Sequence, residues 1–272
     1  MTAQPANLES TLNTAFADEF AQICVLDVID STNAEAIRRI NAGQEARQIV
    51  VAHSQSAGRG RRGRQWLSPP GAGIYLTITW DFAESVDTLQ ALSLVTAISV
   101  QQAIADQSLS NVQLKWPNDI LVAEEKLAGI LLETCHTPTG VVIVFGIGIN
   151  LDLPDSVVAQ IDRPITDIRR VGGQQTDLSA LLVTLLQRWQ ANVAIFQQQG
   201  FAPFMAGWNE LDSYNGREVT VTGGTRQWQG VSQGVDEAGT LLVLTSDGLQ
   251  QISGGEVLPT LRPISDDDAA NS

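Results

Sequence analysis

The hydrophobic period of this chain changes character once, at Arg217, and that change limits it to a body of mixed α and β structure followed by a small all-β unit. After Arg217 come REVTVTG, RQWQGVSQGV, GTLLVLTSDG and LQQISGGEV, short β-rich runs broken by glycine-containing turns. They predict a small antiparallel barrel over 216–264, too small to serve as a catalytic body. Before it, strand-like runs at 22–29, 48–53, 74–80, 112–116, 126–134 and 141–149 are interspersed with helical periods at 88–105, 178–198 and 202–211. Of these, 74–80 reads as a half-buried alternating strand and 141–149 as a central one. A further helix opens at Asp30, where Thr32 followed by Glu35 has the spacing of a capping box. The expected division is a polar segment at 1–21 with at most one short helix, a catalytic domain at 22–215, the barrel at 216–264, and an acidic, disordered tail at 265–272.

With 272 residues, 43% of them hydrophobic, the chain can bury one substantial core. No stretch approaches the roughly 20 apolar residues of a membrane helix. The start carries neither a basic nor an apolar signal region. Cys24 and Cys135 match neither a disulfide framework nor a zinc site, so a reducing cytoplasm is the expected compartment.

Charge narrows the function. Acidic residues outnumber basic ones 30 to 16, a net charge of −14, which opposes general attraction to nucleic acid or an anionic membrane. Against that trend, Arg59, Arg61, Arg62 and Arg64 crowd into one short loop, and the only lysines are Lys115 and Lys126. Such concentration points to one small anionic ligand.

The loop Gly58-Arg59-Gly60-Arg61-Arg62-Gly63 formally satisfies G-x-G-x-x-G, but Gln65-Trp66-Leu67-Ser68-Pro69-Pro70 follows where a dinucleotide site needs a helix. Glycines let backbone close over a ligand, and guanidinium forks pair with carboxylate or phosphate oxygens. Four like charges among glycines are expected to be mobile until an anion neutralises them. A solvated charged loop is the plain alternative. Lys115-Trp116-Pro117-Asn118-Asp119 leaves a strand at a proline, which a bare turn also explains, except for the lysine before it. Lys126-Leu127-Ala128-Gly129 opens another strand, with a glycine where a ligand could approach the backbone. Gly146 and Gly148 fall on one side of a pleat, opening a cleft floor with Asn150 at its mouth. His53 and His136 read as structural, and no nucleophile elbow or Walker lysine motif occurs.

Together these segments resemble the biotin–protein ligases. The blocks stand in that family's order and spacing: Ser31-Thr32-Asn33, the arginine loop through Trp66 with Ser68-Pro69 and Gly71, Lys115 to Asp119, Lys126 with Gly129-Ile130-Leu131 and Glu133, then Gly148-Ile149-Asn150. The resemblance spans about residues 23–264, and the pairing of GRGRRGRxW with KWPND is its most specific part. It implies an α+β fold: a catalytic domain like that of class II aminoacyl-tRNA synthetases and lipoate ligases, with a mixed sheet and flanking helices, plus a C-terminal SH3-like barrel.

The resemblance also implies the chemistry. Biotin carboxylate attacks the ATP α-phosphate to give biotinyl-5′-AMP and pyrophosphate, and a lysine amine of a biotin carboxyl carrier domain then takes the biotinyl group. Lys126, Arg59 and Arg61 would be catalytic. Ser31, Thr32, Asn33, Gln55, Arg59, Gly60, Arg61, Lys126, Gly129 and Gly148 would bind biotin. Arg62, Trp66, Lys115, Asn118, Asp119 and Asn150 would face the nucleotide, with Mg²⁺ accompanying ATP and no metal held by the protein itself. Arg262 falls later after Gly-Glu than in the repressor-type members and receives no role. Those members carry an N-terminal winged helix of roughly sixty residues; here about twenty precede the first strand, so a monofunctional enzyme without DNA or membrane partners is expected, as a monomer or weak homodimer. The rival readings are a lipoate or other acyl–protein ligase on the same scaffold and a biotin-responsive regulator.

Overall fold

The computed structural model describes residues 5–82, 89–107, 109–138, 140–172 and 177–259. Seven strands build one sheet: β1 (Gln22–Ile29), β2 (Gln48–Gln55), β3 (Gly73–Phe82), β4 (Val112–Lys115), β5 (Asp119–Val122), β6 (Glu125–Thr137) and β7 (Gly140–Asn150). Their order is β1-β2-β3-β7-β6-β5-β4. β1 and β2 run parallel and the other neighbours antiparallel, so the sheet is mixed, as expected. The remaining elements of the body are α1 (Pro5–Phe16), α2 (Thr32–Asn41), α3 (Leu89–Ala105), α4 (Asp155–Val158), α5 (Leu178–Gln199) and α6 (Ala202–Leu211).

β7 shows how the two faces differ. Its odd positions Ile143, Phe145, Ile147 and Ile149 join the main core, where Val95 and Ile98 of α3 meet Leu181, Leu185 and Trp189 of α5. Its even positions Val142 and Val144 pack with Ala36 and Ile40 of α2 and with Val50. Farther along that second face come Gly146 and Gly148, where the apolar layer stops.

Three local readings change and one is sharpened. The 1–21 segment, expected to be polar with at most one short helix, holds a single helix, the 12-residue α1. Its Leu8, Leu12 and Phe16 lie four apart and are buried with Phe20. Each such burial contributes about 1.5–3 kcal/mol, and the polar residues between them mask this stripe in the composition. β3 is buried on both faces from Gly73 to Thr79 rather than half-buried, because Ile74, Leu76 and Ile78 join the core shared with α3 and α5 while α2 packs on the other side, where Thr77 meets Thr32 and Asn33. Ser31, not Thr32, is the N-cap of α2, and it makes no side-chain cap bond; Glu35 pairs instead with Arg38 and Arg39, so no capping box forms. Finally, Asp119 opens β5, a strand read above as part of a turn. Its hairpin to β6 turns on Ala123 and Glu124, both at positive φ. Asn-Gly or Asp-Gly ordinarily marks such a turn, and neither is present.

Five antiparallel strands form the C-terminal unit: β8 (Glu218–Gly223), β9 (Arg226–Val235), β10 (Leu241–Thr245), β11 (Gly248–Ile252) and β12 (Glu256–Pro259), in the order β11-β10-β9-β8-β12. It meets the body where Trp116 Nε1 donates to Gly239 O (3.3 Å) and where Arg62 and Arg64 reach Glu256. The tail at 265–272 and Arg262 lie outside the described residues.

Candidate active site

A row of residues with two glycines at its centre crosses the middle of the sheet. Tyr75 of β3 is in register with Gly148 of β7, Gly148 with Gly129 of β6, Gly129 with Asp119 of β5, and Asp119 with Lys115 of β4. In the neighbouring row on the same face, Thr77 aligns with Gly146 and Gly146 with Leu131. The glycines are required by what lies over them. A Cβ on Gly148 would stand 2.5 Å from the Trp66 indole, and one on Gly146 would stand 2.5 Å from Asn33 Oδ1. A cleft therefore runs over this floor, with Trp66 lying across it and its Nε1 buried without a hydrogen-bond partner.

One end of the cleft is polar and uncharged. The Ser31 hydroxyl is not spent on capping α2. Thr32 N donates to Gln55 Oε1 (2.8 Å), and Gln55 Nε2 donates to Ser68 Oγ (2.8 Å). The Thr77 hydroxyl lies 2.8 Å from Thr32 Oγ1 and 2.6 Å from Asn33 Oδ1. Ser31, Thr32, Asn33, Ser68 and Thr77 are all buried, so this is a desolvated ring of short hydrogen-bonding groups.

The other end is cationic. Lys126 Nζ lies 2.5 Å from Asp119 Oδ1 and 5.3 Å from the centre of the Trp66 ring. Its backbone is held on both sides by the 164–166 segment: Lys126 N donates to Pro164 O, and Thr166 N donates to Lys126 O. Burial lowers the pKa of the Lys115 amine; Lys126 and Arg163 push the same way, while Asp119 and Glu256 oppose. Burial likewise lowers that of Arg61, whose guanidinium donates to Asn118 Oδ1 (3.0 Å). Asn118 Nδ2 donates to Ile130 O and Asn150 Nδ2 to Thr166 O, which fixes both amides at the edge of the floor.

Residues 58–66 form a narrow turn over the cleft. Trp66 N donates to Gly58 O and Gly60 N to Arg64 O, and the tip passes through positive φ at Arg62 and Gly63. The repulsion expected among four arginines is relieved by divergence: Arg59 reaches Glu133, Arg61 reaches Asn118, and Arg62 and Arg64 share Glu256. The hydrogen bond from Arg64 is the first reason the Glu256 carboxyl is held below its usual range.

All the residues given a catalytic or binding role from the sequence line this one cleft: Ser31, Thr32, Asn33, Gln55, Arg59, Gly60, Arg61, Arg62, Trp66, Lys115, Asn118, Asp119, Lys126, Gly129, Gly148 and Asn150. Tyr75, Leu153, Ile161, Arg163, Ile165 and Glu256 line it too and were not anticipated. Ile161 to Ile165 belong to an irregular segment with no periodic signal, and only the barrel's docking brings Glu256 here. Among the described residues no group of three or more His, Cys, Asp or Glu side chains could hold a metal, and no helix is long and apolar enough to cross a membrane.

The chain is similar to known proteins in sequence and in fold. Residues 25–150 match the Biotin/lipoate A/B protein ligase family and residues 214–258 the Biotin protein ligase C terminal domain. The Bifunctional ligase/repressor BirA of Escherichia coli is 34% identical, over 86% of this chain and 73% of its own. The Biotin--[acetyl-CoA-carboxylase] ligase of Paracoccus denitrificans is 34% identical, over 84% of this chain and 96% of its own. The structure of the biotin protein ligase from Aquifex aeolicus in complex with biotin and ATP superposes with a TM-score of 0.77 at 30% identity, covering 88% of this chain and 98% of that one. By these matches to both its mixed sheet and its C-terminal β unit, this chain belongs to the biotin protein ligase family.

Proposed function

We propose that the protein is an ATP-dependent biotin–protein ligase that forms biotinyl-5′-AMP and passes the biotinyl group to a lysine of a biotin carboxyl carrier domain. One observation carries the reading: a floor of glycines joins an uncharged polar ring to a cluster of partly buried cations in a single cleft. A bicyclic urea with an aliphatic carboxylate chain needs those three surfaces in that order.

In this reading Ser31, Thr32, Asn33 and Gln55 engage the ureido group, and the space over Gly129 and Gly148 takes the rings and chain. A carboxylate oxygen attacks the α-phosphorus of ATP, a P–O bond forms, and pyrophosphate leaves. Arg59, Arg61 and Lys126 are aimed at the charge that develops there, which a fixed cation stabilises most in a site closed to water. Arg62, Trp66, Lys115, Asn118, Asp119 and Asn150 take the nucleotide side. Mg²⁺ arrives with ATP as co-substrate, carried mainly by its phosphates, with Asp119 as the nearest protein carboxylate to the reacting end. In the second half-reaction the carrier amine attacks the acyl carbon, AMP departs and the amine loses a proton. The turn over the cleft shields the mixed anhydride from water until then. We divide the chain at residue 216, with the catalytic domain before it and the barrel after, and place the reaction in the cytoplasm.

Transfer of labelled biotin to a purified carrier domain, with and without ATP, tests the assignment. ATP-dependent labelling of the carrier lysine is the expected result. Pyrophosphate release that follows lipoate instead of biotin would replace it with an acyl ligase of another specificity.

A further inference from the structure

Glu133 lies outside the cleft lining, yet it touches both parts that must cooperate for biotin to be held. It follows Gly129 and Leu131 at alternate positions on the same face of β6. One of its oxygens, Oε2, accepts from Arg59 Nη2 of the loop (2.8 Å) and from Asn33 Nδ2 of the polar ring (2.8 Å). Asn33 is buried and Arg59 is half-exposed, so a single carboxylate oxygen bridges the buried floor and the covering turn.

The consequence for the ring follows from counting protons. A carboxylate only accepts, so the amide of Asn33 must present its NH₂ to Glu133 and its carbonyl to Thr77. The Thr77 hydroxyl then spends its one proton on Asn33 Oδ1, 2.6 Å away, so across its 2.8 Å contact with Thr32 Oγ1 it can only accept, and the Thr32 proton is divided between Thr77 and Gln55 Oε1, 3.2 Å away. A neutral side chain at position 133 could face Asn33 with either a donor or an acceptor, and the sense of this chain would then rest on the longer 3.5 Å contact of Asn33 Nδ2 with Leu131 O alone. Gly146 leaves Asn33 no other seat, since its backbone lies directly beneath the amide.

We propose that Glu133 is a positioning residue for biotin: it sets the donor and acceptor sense of the ureido ring through Asn33 and, with the same oxygen, ties Arg59 of the covering loop to that ring. Loop closure and ring polarity are then one event. The proposal rests on the biotin reading above.

The test is biotin-dependent exchange of pyrophosphate into ATP by wild type, Glu133→Gln and Glu133→Asp. If wild type shows no such exchange, the functional reading fails before the variants are compared. With wild type active, glutamine keeps the shape and loses the fixed sense, and aspartate keeps the charge and withdraws the oxygen by one methylene. Both should raise the KM for biotin by about tenfold or more, as expected when a charged hydrogen-bond acceptor is lost. The KM for ATP should stay within about threefold, whereas kcat is expected to fall with the loosening of Arg59, which serves the chemical step. A merely structural carboxylate would move both KM values or neither. A biotin KM within about twofold of wild type in the variants, or equal rises for biotin and ATP, would overturn the proposal. Should the glutamine variant fail to fold, the aspartate variant carries the same comparison.

Discussion

Lys126 Nζ and Asp119 Oδ1 stand 2.5 Å apart on adjacent antiparallel strands, both largely buried beside the Trp66 ring. The pair keeps an ammonium pointed into a desolvated cleft, where an unpaired cation would be costly. An ammonium held in an ion pair suits stabilisation of phosphate and ill suits attack on an acyl group, which needs the free lone pair of the amine.

Replacing Lys126 with alanine should therefore leave the fold intact and cripple formation of the adenylate. Loss of one preorganised charge of this kind costs about 3–4 kcal/mol, or some hundredfold to thousandfold in rate. Biotin-dependent pyrophosphate release by Lys126→Ala at a near-normal rate would remove this residue from the chemistry.

Self-labelling should be weak and should favour one lysine. An acyl-adenylate acylates neutral amines, and the chain has only Lys115 and Lys126 to offer besides its N-terminus. Burial lowers the pKa of Lys115, so its neutral fraction appears at lower pH than that of an ordinary lysine. After incubation with biotin and ATP but no carrier, mass spectrometry should find any lysine label on Lys115 first, increasing as pH rises. Abundant label on Lys126 would contradict its description as a held cation.

Gly148→Ala and Gly146→Ala should each damage the site, by different routes. The first methyl collides with Trp66 and the second with Asn33, both at 2.5 Å. Overpacking of this kind costs about 1–3 kcal/mol, visible as a lower Tm. Gly146→Ala should in addition weaken biotin binding, because it unseats the amide of the polar ring. Calorimetric titration with biotin would show the difference; unaltered affinity in Gly146→Ala would dismiss the floor as inert.

Asp212 supplies a pH dependence at the joint between body and barrel. Burial pushes its carboxyl up to about 6, and its Oδ2 has no hydrogen-bond partner. The folded state thus prefers the neutral acid. As pH rises past the ordinary carboxylate value near 4, the folded protein loses stability through this group, and the loss is complete above about 6. Its full size is about 3 kcal/mol at neutral pH, taken from a shift of some two pH units. Asp212→Asn should flatten that part of the Tm profile, gaining on wild type at pH 8 relative to pH 5. Parallel profiles for the two proteins would show that the carboxyl does not titrate as described.

Much of this protein was determined by its sequence alone. The period change at Arg217 divides mixed from all-β structure, and the register of VVIVFGIGIN puts two glycines on one pleat face, because both depend only on local spacing. Arginines gathered into one glycine-rich loop, with both lysines in strand-edge motifs, likewise pointed to one cationic site for an anionic ligand. Tertiary structure decided the rest. The helix at Pro5–Phe16 exists because Phe20 and the main core receive its sparse apolar stripe, and β5 forms because β4 and β6 both pair with it, the latter across a turn that carries no turn signature. The same holds for the loop's charge balance, in which Glu133 and Glu256 meet arginines 74 and 192 residues away in the chain. A carboxylate's partner at that separation is chosen by the packing of strands and barrel, and no local pattern encodes it.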